Sequence, residues 1–157
     1  MSDILYILNQ LRRTVDTDEA MDNIRWLESN VDFDLFNQHL ELCDQKTISR
    51  SSWEALSDAG IEYCGLFIDG KMVARACVEI ITDDNWEVAD VRVAHDFRNK
   101  GYARFVCKYV IRHILRSNKN AMIRTDKHNI AMQRVIARLG FDKYDLQENV
   151  NNPAKDI

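Results

Sequence analysis

The chain has 157 residues, of which 46% are hydrophobic and 29% are charged, and its formal net charge is −4. This length and apolar content predict one globular domain with a core of its own, and the acidic balance argues against nucleic acid as a general partner. No apolar run is long enough to span a bilayer and no signal peptide is recognisable, so we expect no membrane partner and a cytoplasmic location.

The cysteine spacing is typical of neither a metal site nor a disulfide framework. No C-x-x-C pair and no Cys/His cluster occurs, so we expect no metal. Each cysteine lies among apolar residues, which favours small core side chains in a reducing compartment. The four positions are Cys43, Cys64, Cys77 and Cys107.

The first part of the chain is predicted to be a helical extension. Apolar residues at helical spacing predict a helix over residues 3–13 with Asp3 as its N-cap, followed by a polar linker over residues 14–22. Two roles are open for this extension, residues 1–22: covering a sheet edge, or forming a homodimer contact. Residues 24–27 then form a short strand candidate.

Apolar residues at helical spacing predict two further helices before the main sheet. Asp32 or Asp34 caps the first helix, which runs to Leu42. The second covers residues 49–59 and ends at Gly60, a residue suited to a helix C-terminus.

The middle of the chain predicts an antiparallel meander. Residues 61–69 and 72–82 have strand patterns, and Asp69-Gly70 between them is a strong two-residue hairpin signal. A turn over residues 83–85 leads into a third strand at Trp86.

A strand–helix–strand unit follows and implies a parallel strand pair. The helix is predicted over residues 102–117 and the second strand over residues 120–125. After Phe141, residues 142–146 look extended, and residues 147–157 form a polar tail.

The stretch from Trp86 to Ala103 predicts an anion site. It contains a strand, a polar turn, a loop with Gly101 and the start of a helix. Backbone N–H groups and the positive end of the helix dipole converge there, so the loop should hold a phosphate. The strand alternation breaks at Asp90, and a β-bulge at Asp90–Val91 would explain the break.

Three elements of this region occur in a recognisable order. The loop reads Arg98-Asn99-Lys100-Gly101-Tyr102-Ala103, with Val93 and Phe97 before it, and downstream Asn129 opens a helix that closes on Leu139-Gly140-Phe141. Together they resemble the GNAT superfamily of acyl-CoA-dependent N-acetyltransferases, whose loop pattern is Arg or Gln, two residues, Gly, one residue, and Gly or Ala. The resemblance covers about residues 61–141.

The resemblance implies an α/β (α+β) GNAT fold over residues 23–146: a mixed, mostly antiparallel central sheet with one splayed parallel strand pair, flanked by helices. It implies acetyl-CoA as co-substrate, with the pantetheine arm in the gap and the N–H of Val93 on the thioester carbonyl. Asn129 would serve both as an N-cap and as a contact of the arm. The cofactor-binding residues implied by the match are Val91, Arg92, Val93, Arg98, Asn99, Lys100, Gly101, Tyr102, Ala103 and Asn129.

Charge is divided unequally along the chain. Residues 1–70 hold 5 Lys+Arg against 14 Asp+Glu, and residues 71–157 hold 16 against 11, so the net charges are −9 and +5. The basic part carries the phosphate loop and the acidic part would carry the acceptor pocket, which suits a polyanionic cofactor and a cationic amine. Chance segregation of surface charge explains the division equally well.

The helix after the loop carries four basic residues on one face, which is more typical of a solvated face than of a site. Arg104 alone is close enough to the loop to reach a cofactor phosphate. The four are Arg104, Lys108, Arg112 and Arg116.

Acetyl transfer to an amine requires a base, because a lysine-like amine has a pKa of about 10.4. Glu87 falls where histone-acetylating members of the family carry their glutamate base, and Asp90 is the second candidate. A solvent-facing strand glutamate is an equally good interpretation of Glu87.

The usual acid of the family is missing. Many members place a Tyr five residues before the Phe of Gly-Phe, where this chain has Ile136. The helix instead resembles the branch that acetylates ribosomal-protein N-termini, with Met132 at that branch's Ser. A thiol with a pKa of about 8.5 leaves tolerably without a strong acid.

The expected function is N-acetyl transfer from acetyl-CoA to a primary amine of a small molecule, or to a protein N-terminus or lysine, by direct attack. Two alternatives from other classes stay open. One is a non-catalytic acyl-CoA-binding or regulatory module, and the other is a structural or partner-binding domain built on the first helix.

Overall fold

The computed structural model describes residues 3–8 and 23–143. In this part of the chain, seven strands form one sheet and four α-helices flank it. The elements in chain order are β1 (Asp3–Leu8), β2 (Ile24–Trp26), α1 (Phe33–Leu42), α2 (Arg50–Asp58), β3 (Ile61–Ile68), β4 (Lys71–Ile80), β5 (Asn85–Val93), a 3-10 helix (His95–Phe97), α3 (Tyr102–Arg116), β6 (Asn120–Asp126), α4 (Ile130–Arg138) and β7 (Asp142–Lys143).

The sheet is mixed and mostly antiparallel, as predicted. Its strand order is β2-β3-β4-β5-β6-β1-β7, and β5 and β6 form the parallel pair in the described residues. The remaining neighbours run antiparallel. The predicted α/β (α+β) class and strand arrangement are therefore confirmed.

The prediction of a helix at the start of the chain is wrong over residues 3–8. These residues form β1, which lies between β6 and β7 and pairs with both. Ile4, Leu5 and Tyr6 are all buried, so consecutive residues on both faces of the strand are apolar. Such a run has no period-2 alternation and cannot be told from a buried helix by spacing alone.

β1 also explains how a chain with one extended segment after Phe141 completes its sheet. The N-terminal strand occupies the place between β6 and β7, so it covers the edge of β6 as a strand and not as a helix. The rest of the predicted extension and the predicted tail lie outside the described residues. The domain boundaries after residues 22 and 146 stay predictions.

Local signals explain the elements around the meander. Ser49 caps α2, since its hydroxyl accepts a hydrogen bond from the backbone N–H of Ser52 at 3.1 Å. The predicted hairpin turn joins β3 to β4, with Asp69 and Gly70 both left-handed at φ 51° and 78°. Asp32 precedes α1, but its carboxylate binds Arg25 at 2.8 Å instead of the helix N-terminus.

Two hydrophobic clusters lie on opposite faces of the sheet. The larger one is built around α3 and the central strands, and the smaller one packs α1 and α2 on the other face. Three of the four free cysteines, Cys64, Cys77 and Cys107, are buried as predicted, and Cys43 is half-buried.

The basic face of α3 is not the solvated face that its spacing predicted. Lys108 is only 5% exposed, and Arg104 and Arg112 are half-buried. Arg116, at the end of the helix, is exposed as predicted. Within residues 3–8 and 23–143, no helix combines the length and apolarity that a bilayer crossing requires.

Candidate active site

The parallel strands β5 and β6 separate halfway along their length. They pair from Asn85↔Asn120 to Val88↔Ile123. In the described part of the chain this pairing goes no further, although β5 continues to Val93. The predicted splayed pair is therefore present, and one edge of β5 faces a gap.

A β-bulge bends β5 where the gap begins. The β4–β5 register shifts by one residue, so that Asp90 and Val91 together oppose Ala76. Asp90 has φ 47°, in the left-handed region that favours glycine. The bulge predicted at these two residues is confirmed.

The backbone of Val93 faces the gap. The N–H of Ala94 donates to the carbonyl of Val73 in β4 at 2.9 Å. Because successive N–H groups along a strand point to opposite edges, the N–H and C=O of Val93 point away from β4. Val91 faces the gap by the same alternation. The backbone of Arg92 pairs with β4 instead. Its N–H and C=O therefore do not face the gap, unlike those of the other two predicted residues.

The loop after β5 turns around an open space at the start of α3. Asn99 and Gly101 are both left-handed, with φ 64° and 84°, and Gly101 is the N-cap of the helix. The first intrahelical bond runs from Phe105 to Gly101, so the N–H groups of Tyr102 and Ala103 precede it. A methyl group at Gly101 would meet no atom within 4 Å. The loop therefore has the geometry of an anion cradle.

Basic side chains stand beside this cradle. Arg98 and Lys100 are exposed, and the Arg98 Nε donates to the carbonyl of Val93 at 3.2 Å. That hydrogen bond links the phosphate loop to the backbone edge of the gap. Positive charge and a helix N-terminus at one place favour a bound anion.

Asn129 caps α4, as one of its two predicted roles requires. Its Oδ1 accepts a hydrogen bond from the N–H of Met132 at 3.0 Å, and the residue is exposed. It follows the end of β6, on the far side of the gap from Val93. Its contact with a cofactor stays a prediction.

Glu87 is buried in the sheet. It is 6% exposed, and the Arg124 Nε of β6 donates to both carboxylate oxygens, at 3.1 and 2.9 Å. Burial raises the pKa of Glu87 above its usual range, while Arg124 opposes the rise. The interpretation of Glu87 as a solvent-facing strand glutamate is therefore wrong. A general base is most effective when its pKa is near the pH of the reaction, so the raised pKa makes Glu87 a better base at neutral pH.

Asp90, the second predicted base, has its carboxylate occupied. Its Oδ2 accepts from the Tyr63 hydroxyl at 2.6 Å and from the Arg75 Nε at 3.1 Å, and its Oδ1 accepts from the Arg75 Nη2 at 3.3 Å. Three hydrogen bonds from two side chains therefore hold this carboxylate in place.

Ile136 packs into the core. It is fully buried in α4, within the large hydrophobic cluster. An apolar side chain supplies no proton, so Ile136 has a packing role here.

Sequence reasoning missed Arg75, Tyr63 and Arg124. Arg75 and Arg124 each interrupt an apolar strand, and a lone cation in such a run signals a buried charge that requires a partner. Tyr63 carries no comparable signal, because an aromatic residue is ordinary in a strand.

Among the residues that the structure describes, no cluster of three or more His, Cys, Asp or Glu side chains could hold a metal ion. A crevice between α2 and β3, next to Trp53 and Leu56, has a volume of about 20 Å³. It has room for about one water molecule and not for a cofactor.

Comparison with known proteins supports one family. A family model described as the Acetyltransferase (GNAT) family matches residues 19–141. Curated protein sequences contain no significant match.

Solved structures share the fold at low sequence identity. A GNAT-family acetyltransferase described as putative, from Novosphingobium aromaticivorans DSM 12444, aligns with TM-score 0.70 at 17% identity, over 91% of this chain and 60% of its own. The ribosomal-protein-S18-alanine N-acetyltransferase from Escherichia coli aligns with TM-score 0.63 at 19% identity, over 78% of each chain.

A third structure contains a CoA derivative. AAC(6')-Iy in complex with the bisubstrate analog CoA-S-monomethyl-acetylneamine aligns with TM-score 0.65 at 17% identity, over 81% of this chain and 94% of its own. The chain thus spans 60% of the Novosphingobium protein but most of the other two.

Proposed function

The chain belongs to the Acetyltransferase (GNAT) family, and from that premise we propose that it moves the acetyl group of acetyl-CoA to a primary amine by direct nucleophilic attack. One observation carries the proposal. The N–H groups of Val91 and Val93 face the gap between β5 and β6, beside a glycine loop that opens α3.

The chain's backbone would hold the cofactor at two places. The N–H groups of Tyr102 and Ala103 would bind the pyrophosphate at Gly101, with the charges of Arg98 and Lys100 nearby. Val91 and Val93 would pair with the pantetheine amides as an added strand does. Arg98 now occupies the carbonyl of Val93, so we expect it to turn towards the phosphates when the arm binds.

Glu87 is the proposed base. Its buried carboxylate would take a proton from the ammonium acceptor, directly or through a water molecule, and leave the free amine to attack. The Val93 N–H would stabilise the negative charge that develops on the carbonyl oxygen. Because Ile136 supplies no acid, the C–S bond would break without one. The thiolate would then take, through water, the proton that the amine nitrogen loses as the amide forms.

Two classes of acceptor are supported by the similar structures. One structure is a ribosomal-protein-S18-alanine N-acetyltransferase, and another is in complex with the bisubstrate analog CoA-S-monomethyl-acetylneamine. A protein N-terminus and a small polyamine are accordingly the first acceptors to test, together with lysine. The acidic N-terminal part of the chain favours a cationic acceptor.

The decisive experiment measures thiol release from acetyl-CoA with a panel of amines: peptides with free N-termini, lysine peptides and aminoglycosides. Thiol release from acetyl-CoA that increases when one of these amines is added supports the proposal. If acetyl-CoA binds by calorimetry but no amine stimulates release, the non-catalytic acyl-CoA-binding module is the better description. Absence of acetyl-CoA binding would rule out both.

The role of Glu87 is tested by Glu87→Gln against a matched control, Glu79→Gln. Glu79 lies directly opposite Glu87 on the neighbouring strand, so both substitutions remove one carboxylate from the same face. Loss of the base should lower the rate by about 10²–10⁴-fold at neutral pH, with acetyl-CoA binding retained.

The difference should shrink at high pH, where free amine is abundant. The control should stay far closer to wild type than Glu87→Gln, although removing the Glu79 charge removes one cause of the raised pKa of Glu87. Overlapping pH–rate profiles for Glu87→Gln and wild type would remove Glu87 from the mechanism.

A further inference from the structure

The bulge residue Asp90 is held from two neighbouring strands. Tyr63 of β3 and Arg75 of β4 both donate to its carboxylate, over distances of 2.6 to 3.3 Å. Asp90 is 30% exposed, whereas Arg75 is 1% exposed. A buried guanidinium and a tyrosine hydroxyl thus converge on one left-handed residue.

Arg75 is itself fixed in place. Its Nη2 also donates to the Gln45 Oε1 at 2.8 Å, in the segment that joins α1 to α2. Its guanidinium lies over the ring of Phe36 in α1, 5.6 Å from the ring centroid. The Tyr63 ring packs edge-on against the same Phe36 ring, with centroids 4.8 Å apart. Packing as well as hydrogen bonding therefore restrains both donors.

A glycine would form the same bulge at less cost in backbone strain, because glycine enters the left-handed region without a steric penalty. The chain instead uses Asp90 and directs two donors at its side chain. This arrangement specifies the direction of the backbone after the bulge, and that backbone carries the N–H groups of Val91 and Val93.

We infer that Arg75 and Tyr63 are positioning residues, which act through the carboxylate of Asp90 to aim the Val91 and Val93 N–H groups into the gap between β5 and β6. The inference rests on the proposed function, because those N–H groups matter for acetyl transfer. It also assigns Asp90 an anchoring role in place of a proton-transfer role. A displacement of about 1 Å at a reacting group typically costs about 10²-fold in rate.

The test uses three single variants and one double variant. Tyr63→Phe removes one hydroxyl, Arg75→Lys keeps the charge but loses the two-point contact, and Asp90→Gly keeps the backbone conformation but loses the anchor. Each should lower kcat by about 10²-fold and also raise the KM for acetyl-CoA, because the misaimed N–H groups are those that would bind the pantetheine amides. The kcat of the Tyr63→Phe/Asp90→Gly double variant should be no lower than that of the less active single variant, because both substitutions remove the same anchor.

Arg25→Lys is the matched control. Arg25 of the edge strand β2 binds the buried Asp32 with two contacts of 2.8 Å, and its own side chain is 48% exposed. It therefore reports the cost of the same substitution in a two-point ion pair that does not involve Asp90. We expect it to lower thermal stability less than Arg75→Lys, because a more exposed ion pair contributes less, and to retain kcat.

Two readouts separate positioning from other roles. The backbone amide NMR signals of Val91 and Val93 should shift in Tyr63→Phe and Asp90→Gly, and the pH–rate profile should keep its shape at a lower level. Full kcat with unshifted amide signals in both variants would overturn the inference. So would a flattened acidic limb in Asp90→Gly, which would identify Asp90 as a base.

The amide readout also distinguishes failure of this inference from failure of the proposed function. If the wild type transfers acetyl to no amine, the proposed reaction fails. The amide NMR signals still test the inference in that case. Those of Val91 and Val93 should shift when acetyl-CoA is added to the wild type, and this shift should be lost in Tyr63→Phe. An unchanged acetyl-CoA response in that variant would refute the inference on its own.

Discussion

His39 should make the stability of this protein fall as the pH is lowered from about 6.5 to about 4. The side chain is fully buried in α1. Its Nδ1 donates to the carbonyl of Met72 at 3.1 Å, and its Nε2 accepts from the thiol of Cys43 at 3.6 Å. Burial, together with the positive charge of Arg75, lowers the pKa of His39 to about 4.

The sign and size follow from proton linkage. Between about pH 4 and pH 6.5 the unfolded chain binds a proton at this position and the folded chain does not, so acid favours unfolding. One pKa unit corresponds to about 1.4 kcal/mol. Because the pKa is about 4 in the folded protein and about 6.5 in the unfolded chain, acidification removes about 3 kcal/mol of stability in total. The free energy of unfolding of a domain is typically only roughly 5–15 kcal/mol, so this loss is a large share of it.

Urea unfolding of wild type and His39→Asn at about pH 7 and about pH 4.5 measures this loss. The asparagine keeps an N–H for the Met72 carbonyl but cannot gain a proton. It will lower stability at neutral pH because it leaves space unfilled, so the readout is the change between the two pH values. Other titrating groups are common to both proteins and cancel.

We expect the wild type to lose about 2.5 kcal/mol more than His39→Asn over this range. Equal losses in the two proteins would refute the reasoning, because they would show that His39 takes up its proton in the folded state as easily as in the unfolded chain.

The remaining predictions concern the cofactor site and the missing acid. Gly101→Val should weaken acetyl-CoA binding by about 10–100-fold, the value of one or two hydrogen bonds to a charged group, because the branched side chain would fill the cradle. Gly70→Val is its control in calorimetry, since Gly70 has a similar φ and equally open space but lies in a hairpin; equal weakening in both would exclude a local role for the loop. Ile136→Val should cost about 0.5–1.5 kcal/mol of stability and leave turnover near wild type, and a folded variant that binds acetyl-CoA but has lost turnover would contradict a purely packing role.

Elements built from local signals were predictable from the sequence. The β3–β4 hairpin follows from Asp69-Gly70, whose left-handed preference matches the twist of the strands that it joins. The loop at Gly101 and the cap at Asn129 are equally local, because a few adjacent residues determine their backbone conformation. The bulge at Asp90 was predictable because a polar residue interrupted an apolar alternation.

The strand at residues 3–8 was not predictable in this way. Its apolar run fits a helix and a strand equally well, and only pairing with β6, more than a hundred residues later, decides between them. Strand pairing between distant segments depends on the tertiary arrangement, which a local pattern does not contain.

By itself, the sequence determined the chemistry that this protein carries: a glycine loop at a helix start, a strand interrupted at Asp90, and a carboxylate at Glu87. Only the tertiary structure decided what each group meets. Glu87 meets Arg124 and Asp90 meets Arg75 across strands that are far apart in the chain. The protonation and orientation of a carboxylate depend on burial and on such partners, and both arise only when the sheet has assembled.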